Sequence, residues 1–192
     1  MIKVAVIGDI GSGKSYVAKQ FGCPVFEADR EVAKLYRKNK KCYHQLKKKL
    51  PTYINSFPIE KSKISKAVLD NRKNLNKIIK IVHPMIKKRM NIFFTRNKNK
   101  KIVVLDIPLL IENKINKRNY ILIFVDAKKK EIKKRLKNRS NYNIKILKIL
   151  KKLQLPVEKK KKKSDFIIKN NFRHDSTKKN VKKILKKILL NA

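Results

Sequence analysis

The sequence predicts an α/β fold: a parallel sheet of about five strands wrapped by helices, with a helical insertion and a lid. Three observations lead there. Four short apolar, β-branched runs, Ile2 to Ile7, Ile102 to Ile107, Tyr120 to Val125 and Phe166 to Ile168, are continuous rather than alternating, the pattern of strands buried on both faces. Long segments with helical spacing separate them, which suits parallel neighbours joined by crossovers. The turn after the first run carries three glycines, Gly8, Gly11 and Gly13, in a chain that has only four.

Composition bounds the rest. A chain of 192 residues, 42% hydrophobic, is long enough for one sizeable domain with a real core. Net charge is +41, from 54 Lys+Arg against 13 Asp+Glu. Such a surplus points either to nucleic acid or an anionic membrane surface, or to a compositional drift toward Lys, Asn and Ile combined with a phosphate-rich ligand; the last reading is favoured and nucleic acid is not the expected partner. Two cysteines, Cys23 and Cys42, make no disulfide framework. The first residues run straight into a strand, and apolar runs such as "IVVLDIPLLI" are about half of a bilayer span. A cytoplasmic protein without a membrane partner is the expectation, with oligomeric state open.

The elements follow in order. After the first strand, a helix starts near Lys14, and Pro24 to Phe26 is a short fifth strand candidate. Helical spacing then covers about Arg30 to Lys38, Cys42 to Leu50, Lys61 to Leu69 and Arg72 to Ile81. A break is expected at His83-Pro84, because proline pushes the residue before it out of helical geometry. Tyr36, Tyr43, Tyr53 and Phe57 read as core of this segment. A second strandless segment runs from Ala127 to Ser164 and ends in the lysine run 159–163. The last helix is amphipathic, with Val181, Ile184, Leu185, Ile188 and Leu189 on one stripe. A single domain follows, with its core in 1–28, 101–127 and 165–192, a helical subdomain over about 29–100 and a lid over about 128–164.

Gly8, Gly13, Lys14 and Ser15 complete G-x-x-x-x-G-K-S between a strand and a helix. Glycines there let backbone N–H groups turn toward phosphate oxygens, Lys14 reaches the β- and γ-phosphates, and the Ser15 hydroxyl takes Mg²⁺. The fold expectation sharpens to a P-loop NTPase, a three-layer sandwich. A GTPase switch is excluded: no glycine follows Gly22, so no D-x-x-G follows the loop, and no N-K-x-D occurs. The length suits a small-molecule kinase, whose lid must keep water from competing for the γ-phosphate. Arg135 and Arg139, four apart on a predicted helix, read either as lid groups that stabilise the transferred phosphoryl or as a solvated basic face. Asp29, just past the second strand, is either a base for the attacking hydroxyl or a helix N-cap. Asp106, ending a strand, is placed to hold Mg²⁺ through water.

The segments "VIGDIGSGKSYVA", "FEADREVA", "IVHPMI", "VVLDIPLLIE", "KRLKNR" and "LQLPVEKKKKKSDFIIKNN" occur in this order. Together they resemble the dephospho-CoA kinase family over nearly the whole chain. The resemblance implies transfer of the γ-phosphate of ATP to the ribose 3′-hydroxyl of dephospho-CoA, giving CoA and ADP. It implies Asp29 as general base, Gly11 to Tyr16 (Ser12 among them) on the ATP phosphates, and Asn170 near the adenine. It further implies Lys61, His83, Pro84, Leu109, Leu110 and Glu112 near the acceptor, and Arg135 and Arg139 as lid arginines. The chain departs from the pattern at Asp9 (usually Gly), Tyr16 (usually Thr), Glu27 (usually Asp) and Lys61 (usually Arg). An acid at position 9 must point away from the phosphates or weaken ATP binding. The alternatives are another small-molecule or nucleotide kinase with the same loop, and a nucleic-acid-binding NTPase.

Overall fold

The computed structural model describes residues 1–112, 119–138 and 143–191. The elements run β1 (Ile2–Gly8), α1 (Lys14–Lys19), β2 (Val25–Glu27), α2 (Ala28–Lys38), α3 (Lys40–Lys49), α4 (Lys61–Asp70), α5 (Lys73–Arg96), β3 (Ile102–Asp106), β4 (Tyr120–Asp126), α6 (Lys129–Lys137), α7 (Ile144–Leu153), α8 (Val157–Lys162), β5 (Phe166–Lys169) and α9 (His174–Leu190). They form two compact units, Met1–Glu27 with Asn97–Ala192, and Ala28–Arg96. None of the described helices is long and apolar enough to cross a membrane.

The first unit is built on a five-stranded sheet in the order β2-β3-β1-β4-β5, with every pairing parallel. Alternate residues of the strands explain its core. Val4 and Val6, Ile102 and Val104, and Ile123 and Val125 share one face and pack with Val17, Ala18 and Phe21 after β1 and with Val181, Ile184 and Ile188 of α9. Residues on the opposite face, including Ala5, Val103, Leu105, Leu122 and Phe124, are also buried. That two-sided burial is why the strands read as unbroken apolar runs. The register sets the ends of three strands side by side: Val6 lies opposite Asp106, and Asp106 opposite Glu27. Ligands of parallel α/β sheets gather at this carboxyl edge.

The second unit is helical. Leu35, Tyr36, Cys42, Leu46, Ile78, Val82 and Met90 are buried. Asn39 caps α3, its Oδ1 accepting from the Cys42 N–H at 2.7 Å, the ordinary use of asparagine at a helix start. Asn74, buried, donates to the Ala67 carbonyl at 2.9 Å and ties the start of α5 to α4. Glu31 accepts from Lys34 at 2.5 Å and from Arg89 at 2.6 Å, linking α2 to α5. Burial pushes its carboxyl up, but the two cations outweigh that and hold it below the ordinary 4.5.

Two expectations are corrected here. The helix does not break at His83-Pro84: α5 runs unbroken for 24 residues with Pro84 inside it. Proline costs a helix one hydrogen bond and a clash with the carbonyl four residues back. Pro84 and Lys80 are both exposed, so the freed Lys80 carbonyl can bond water, while the apolar stripe of Ile78, Val82 and Met90 carries the helix past the defect. Of the four aromatics read as core, only Tyr36 is buried; Tyr43 and Tyr53 are half-buried and Phe57 is 36% exposed. Tyr43 and Phe57 instead pack against each other with tilted rings, their centroids 5.6 Å apart.

Pro84→Ala restores the missing N–H and should raise stability by about 1–3 kcal/mol in urea denaturation. Arg89→Ala should cost about 1 kcal/mol at neutral pH. A lowered carboxyl pKa stabilises above the unfolded value and loses its effect as pH falls through the folded one. The gap between wild type and Arg89→Ala should therefore close below about pH 4.5.

Candidate active site

The connection from β1 to α1 is a tight loop closed by its own backbone: the Ser12 N–H donates to the Asp9 carbonyl at 3.1 Å, and the Val17 N–H to the Gly13 carbonyl at 3.0 Å. Gly13 caps α1 in the left-handed region, φ 91°, and a Cβ there would run into the Asn170 side-chain amide. Gly11, φ 86°, is overlaid by α6, since a Cβ would come within 2.9 Å of Leu136 and 3.1 Å of Ile132. Both positions need glycine for conformation and for space. The first turn of α1 leaves N–H groups without helical partners. The Lys14 ammonium folds over the loop, donating to the carbonyls of Asp9 at 2.8 Å and Gly8 at 3.2 Å. Ser12 Oγ is buried without a hydrogen-bond partner among the described residues. A cradle of amides, an ammonium and an orphan hydroxyl has the donor chemistry of a phosphate site.

A second segment fixes the loop from behind. Asn170, 3% exposed, donates to the Ser12 carbonyl at 2.8 Å. Its Oδ1 accepts from the Phe172 N–H at 3.0 Å and from the Thr177 hydroxyl at 3.0 Å. Its own N–H donates to the Asp126 carbonyl at 2.7 Å at the end of β4. Arg135, exposed on α6, lays its guanidinium 4.6 Å from the centre of the Phe172 ring. The Tyr16 and His174 rings meet edge-on at 6.4 Å.

Beside the loop lies a small cleft, lined by Ile7, Gly8 and Lys14, by Leu109, Leu110 and Glu112 past β3, and by Gln154 and Lys160. Leu109 takes φ +56°, uncommon for a branched side chain, as the chain turns sharply past β3. Glu112 Oε1 accepts from the Leu155 N–H at 3.0 Å. The acid at position 9 does not face solvent alone: Asp9 Oδ1 accepts from the Lys160 ammonium at 2.7 Å.

A profile of the dephospho-CoA kinase family matches residues 2–176. The chain belongs to the dephospho-CoA kinase family. Curated dephospho-CoA kinases are similar to it along almost their full length: one from Wolbachia sp. subsp. Brugia malayi is 33% identical, with 98% of this chain and 99% of the relative covered, and one from Bartonella quintana is 34% identical, with 98% of each covered. Among solved structures, a Thermus thermophilus protein superposes with a TM-score of 0.79 at 26% identity, covering 99% of this chain and 97% of that one. A dephospho-CoA kinase from Campylobacter jejuni, with a TM-score of 0.64 at 22% identity over 97% of this chain and 96% of that one, shares the fold, as does a shikimate kinase from Bacteroides thetaiotaomicron, with a TM-score of 0.52 at 9% identity. The α/β P-loop kinase architecture is thereby established, and the chain is a kinase.

As a dephospho-CoA kinase, the chain distributes its candidate residues between the two units. The sheet unit holds Gly8, Gly11, Ser12, Gly13, Lys14, Ser15, Tyr16, Asn170, Asp106, Leu109, Leu110, Glu112 and Arg135. Asp106 is 7% exposed at the end of β3, and Ser15 is exposed in the first turn of α1. The helical unit holds Asp29, Lys61, His83 and Pro84. Asp29 is exposed in the first turn of α2, two residues along the chain from Glu27, which the register sets beside Asp106. Lys61 opens α4 and is exposed. His83 is half-buried, and burial lowers its pKa from 6.5. Arg139, expected one helical turn after Arg135, lies outside the described residues; α6 ends at Lys137. Phe172 and Thr177 carry no sequence signal, and Lys160 is covered there only as one of the lysine run 159–163 within the expected lid. Lys160 sits in an unbroken lysine run, and no periodicity marks which member turns inward.

Gly13→Ala should cost more stability than Gly22→Ala. Both glycines have positive φ, but a Cβ at Gly22 meets nothing within 4 Å. Gly22→Ala should lose only the left-handed penalty of about 1–2 kcal/mol. Gly13→Ala adds displacement of Asn170 and should also weaken ATP binding, as read by thermal melting with and without Mg-ATP.

Proposed function

We propose that this family member phosphorylates the ribose 3′-hydroxyl of dephospho-CoA with the γ-phosphoryl group of ATP, giving CoA and ADP. The observation that carries the reading is the glycine-bound loop with Lys14 folded over it, opening beside a cleft lined by Leu109, Leu110 and Glu112. In this reading the loop amides and the Lys14 ammonium grip the β- and γ-phosphates and neutralise charge that builds during in-line transfer. Asp29 takes the proton of the attacking hydroxyl or orients it. Lys61, His83 and Pro84, with Leu109, Leu110 and Glu112, bind the acceptor. Arg135 and Arg139, carried on a lid over about 128–164, cap the transferred phosphoryl and exclude water.

Mg²⁺ fits the donors present. Among the described residues no group of three His, Cys, Asp or Glu side chains could hold a metal. A phosphoryl-transfer magnesium needs no such cage, because it is held by one or two protein oxygens together with phosphates and water. The Ser15 hydroxyl would supply such an oxygen, the Asp106 carboxylate would hold the ion through water, and the ion would neutralise phosphate charge. The substrates are water-soluble nucleotides, and the cytoplasm is the compartment this reading assigns.

Incubation with Mg-ATP and dephospho-CoA should yield CoA by mass, with ADP in equal amount. Lys14→Ala should abolish turnover while leaving the circular dichroism spectrum unchanged. Asp29→Asn should lower kcat by roughly 10²–10⁴-fold, the usual worth of a positioned base. Failure to form CoA from dephospho-CoA, or near-normal turnover by Lys14→Ala, would sink the reading.

A further inference from the structure

We propose that Lys160 is a second phosphate-holding cation of this kinase, taking a phosphate oxygen of ATP in the cleft it shares with Lys14 and stationed there by Asp9. The proposal rests on the kinase reading above and adds a residue to its site. Of the lysines in the 159–163 run, only Lys160 is buried, at 2% exposure. Lys161 turns to Asp126 at 3.3 Å, and Lys159, Lys162 and Lys163 are exposed.

An ammonium so nearly free of water normally spends its donors on partners, because a buried charge is costly without them. Lys160 has three N–H donors and, among the described residues, one side-chain hydrogen bond, to Asp9 Oδ1 at 2.7 Å. The donors left over belong to a side chain that lines the same cleft as Gly8 and Lys14. Glu112 also lines it, but its Oε1 is engaged by the Leu155 N–H. A leftover cationic donor beside a phosphate loop calls for an oxyanion, and a lysine suits one phosphate oxygen as a point charge.

Asp9 gains an explanation in the same step. A carboxylate in the phosphate loop would repel the triphosphate. Paired with Lys160, it contributes no net charge and fixes α8, 151 residues away in sequence, against the loop. With ATP bound, the ammonium bridges the Asp9 carboxylate and a phosphate oxygen.

The test uses the full chain, wild type beside Lys160→Met, Asp9→Asn and the double variant. ATP and dephospho-CoA are titrated separately by calorimetry, and CoA formation is followed. Lys160→Met should weaken ATP about tenfold to a hundredfold, the worth of a hydrogen bond to a charged group, with dephospho-CoA affinity within about twofold. The double variant should bind ATP as poorly as Lys160→Met when each is set against its own Asp9 background. The double variant replaces the ion pair by neutral groups, so it remains testable should Lys160→Met alone melt too low to assay. Normal ATP affinity in the double variant would mean that Lys160 only neutralises Asp9 and would overturn the proposal, as would a loss confined to dephospho-CoA. Wild type that binds ATP but makes no CoA would defeat the functional reading while leaving this one standing.

Discussion

The hydrogen bond from the Asn170 side chain to the Ser12 carbonyl, 2.8 Å long and fully buried, is the contact on which the nucleotide end of the molecule depends. A loop that lets its amides face a ligand has turned those amides away from its own backbone, and something else must hold its shape. Asn170 does so with every polar atom of its side chain, and its backbone N–H is fixed to the end of β4. The amide fills the space where Gly13 would otherwise carry a side chain. The glycine spacing and the distant asparagine are two halves of one constraint.

The sheet was legible because parallel strands buried on both faces have no polar alternation to blur them. The phosphate loop was legible because glycine is so scarce elsewhere that its three appearances between Gly8 and Gly13 stand out. At Pro84 the sequence is misleading, because the local rule about proline gives way to the buried stripe of Ile78, Val82 and Met90. Aromatic type does not by itself set burial: Tyr43 and Phe57 cover each other at the surface of the helical unit. Lys160 is legible only as one of the lysine run 159–163 in the expected lid, not as an inward-facing partner of Asp9. In a run of identical residues the inward one is chosen by the phase of α8, which only the three-dimensional path of the chain supplies.

The basic composition looks different once its lysines are placed. Most lie on exposed faces, where a charge in water costs little and contributes little. Charge acts where solvent is scarce: Lys14 over the loop carbonyls, Arg89 against Glu31, and Lys160 against Asp9. Each of these is one cation held to particular oxygens. A compositional drift that multiplies lysine on the outside leaves such pairs untouched, because their strength comes from local geometry and partial burial.

The reach of Asn170 also bears on how the protein comes into being. Chains emerge from the ribosome amino end first, so the glycine-rich turn is made early and waits. Its brace is 158 residues away, and the Thr177 hydroxyl that steadies the brace comes later still, at the head of α9. During synthesis the newborn chain can pair its first strands long before it can hold a nucleotide. Competence to grip ATP therefore arrives only once Asn170 and Thr177 have been made and have reached back to the turn.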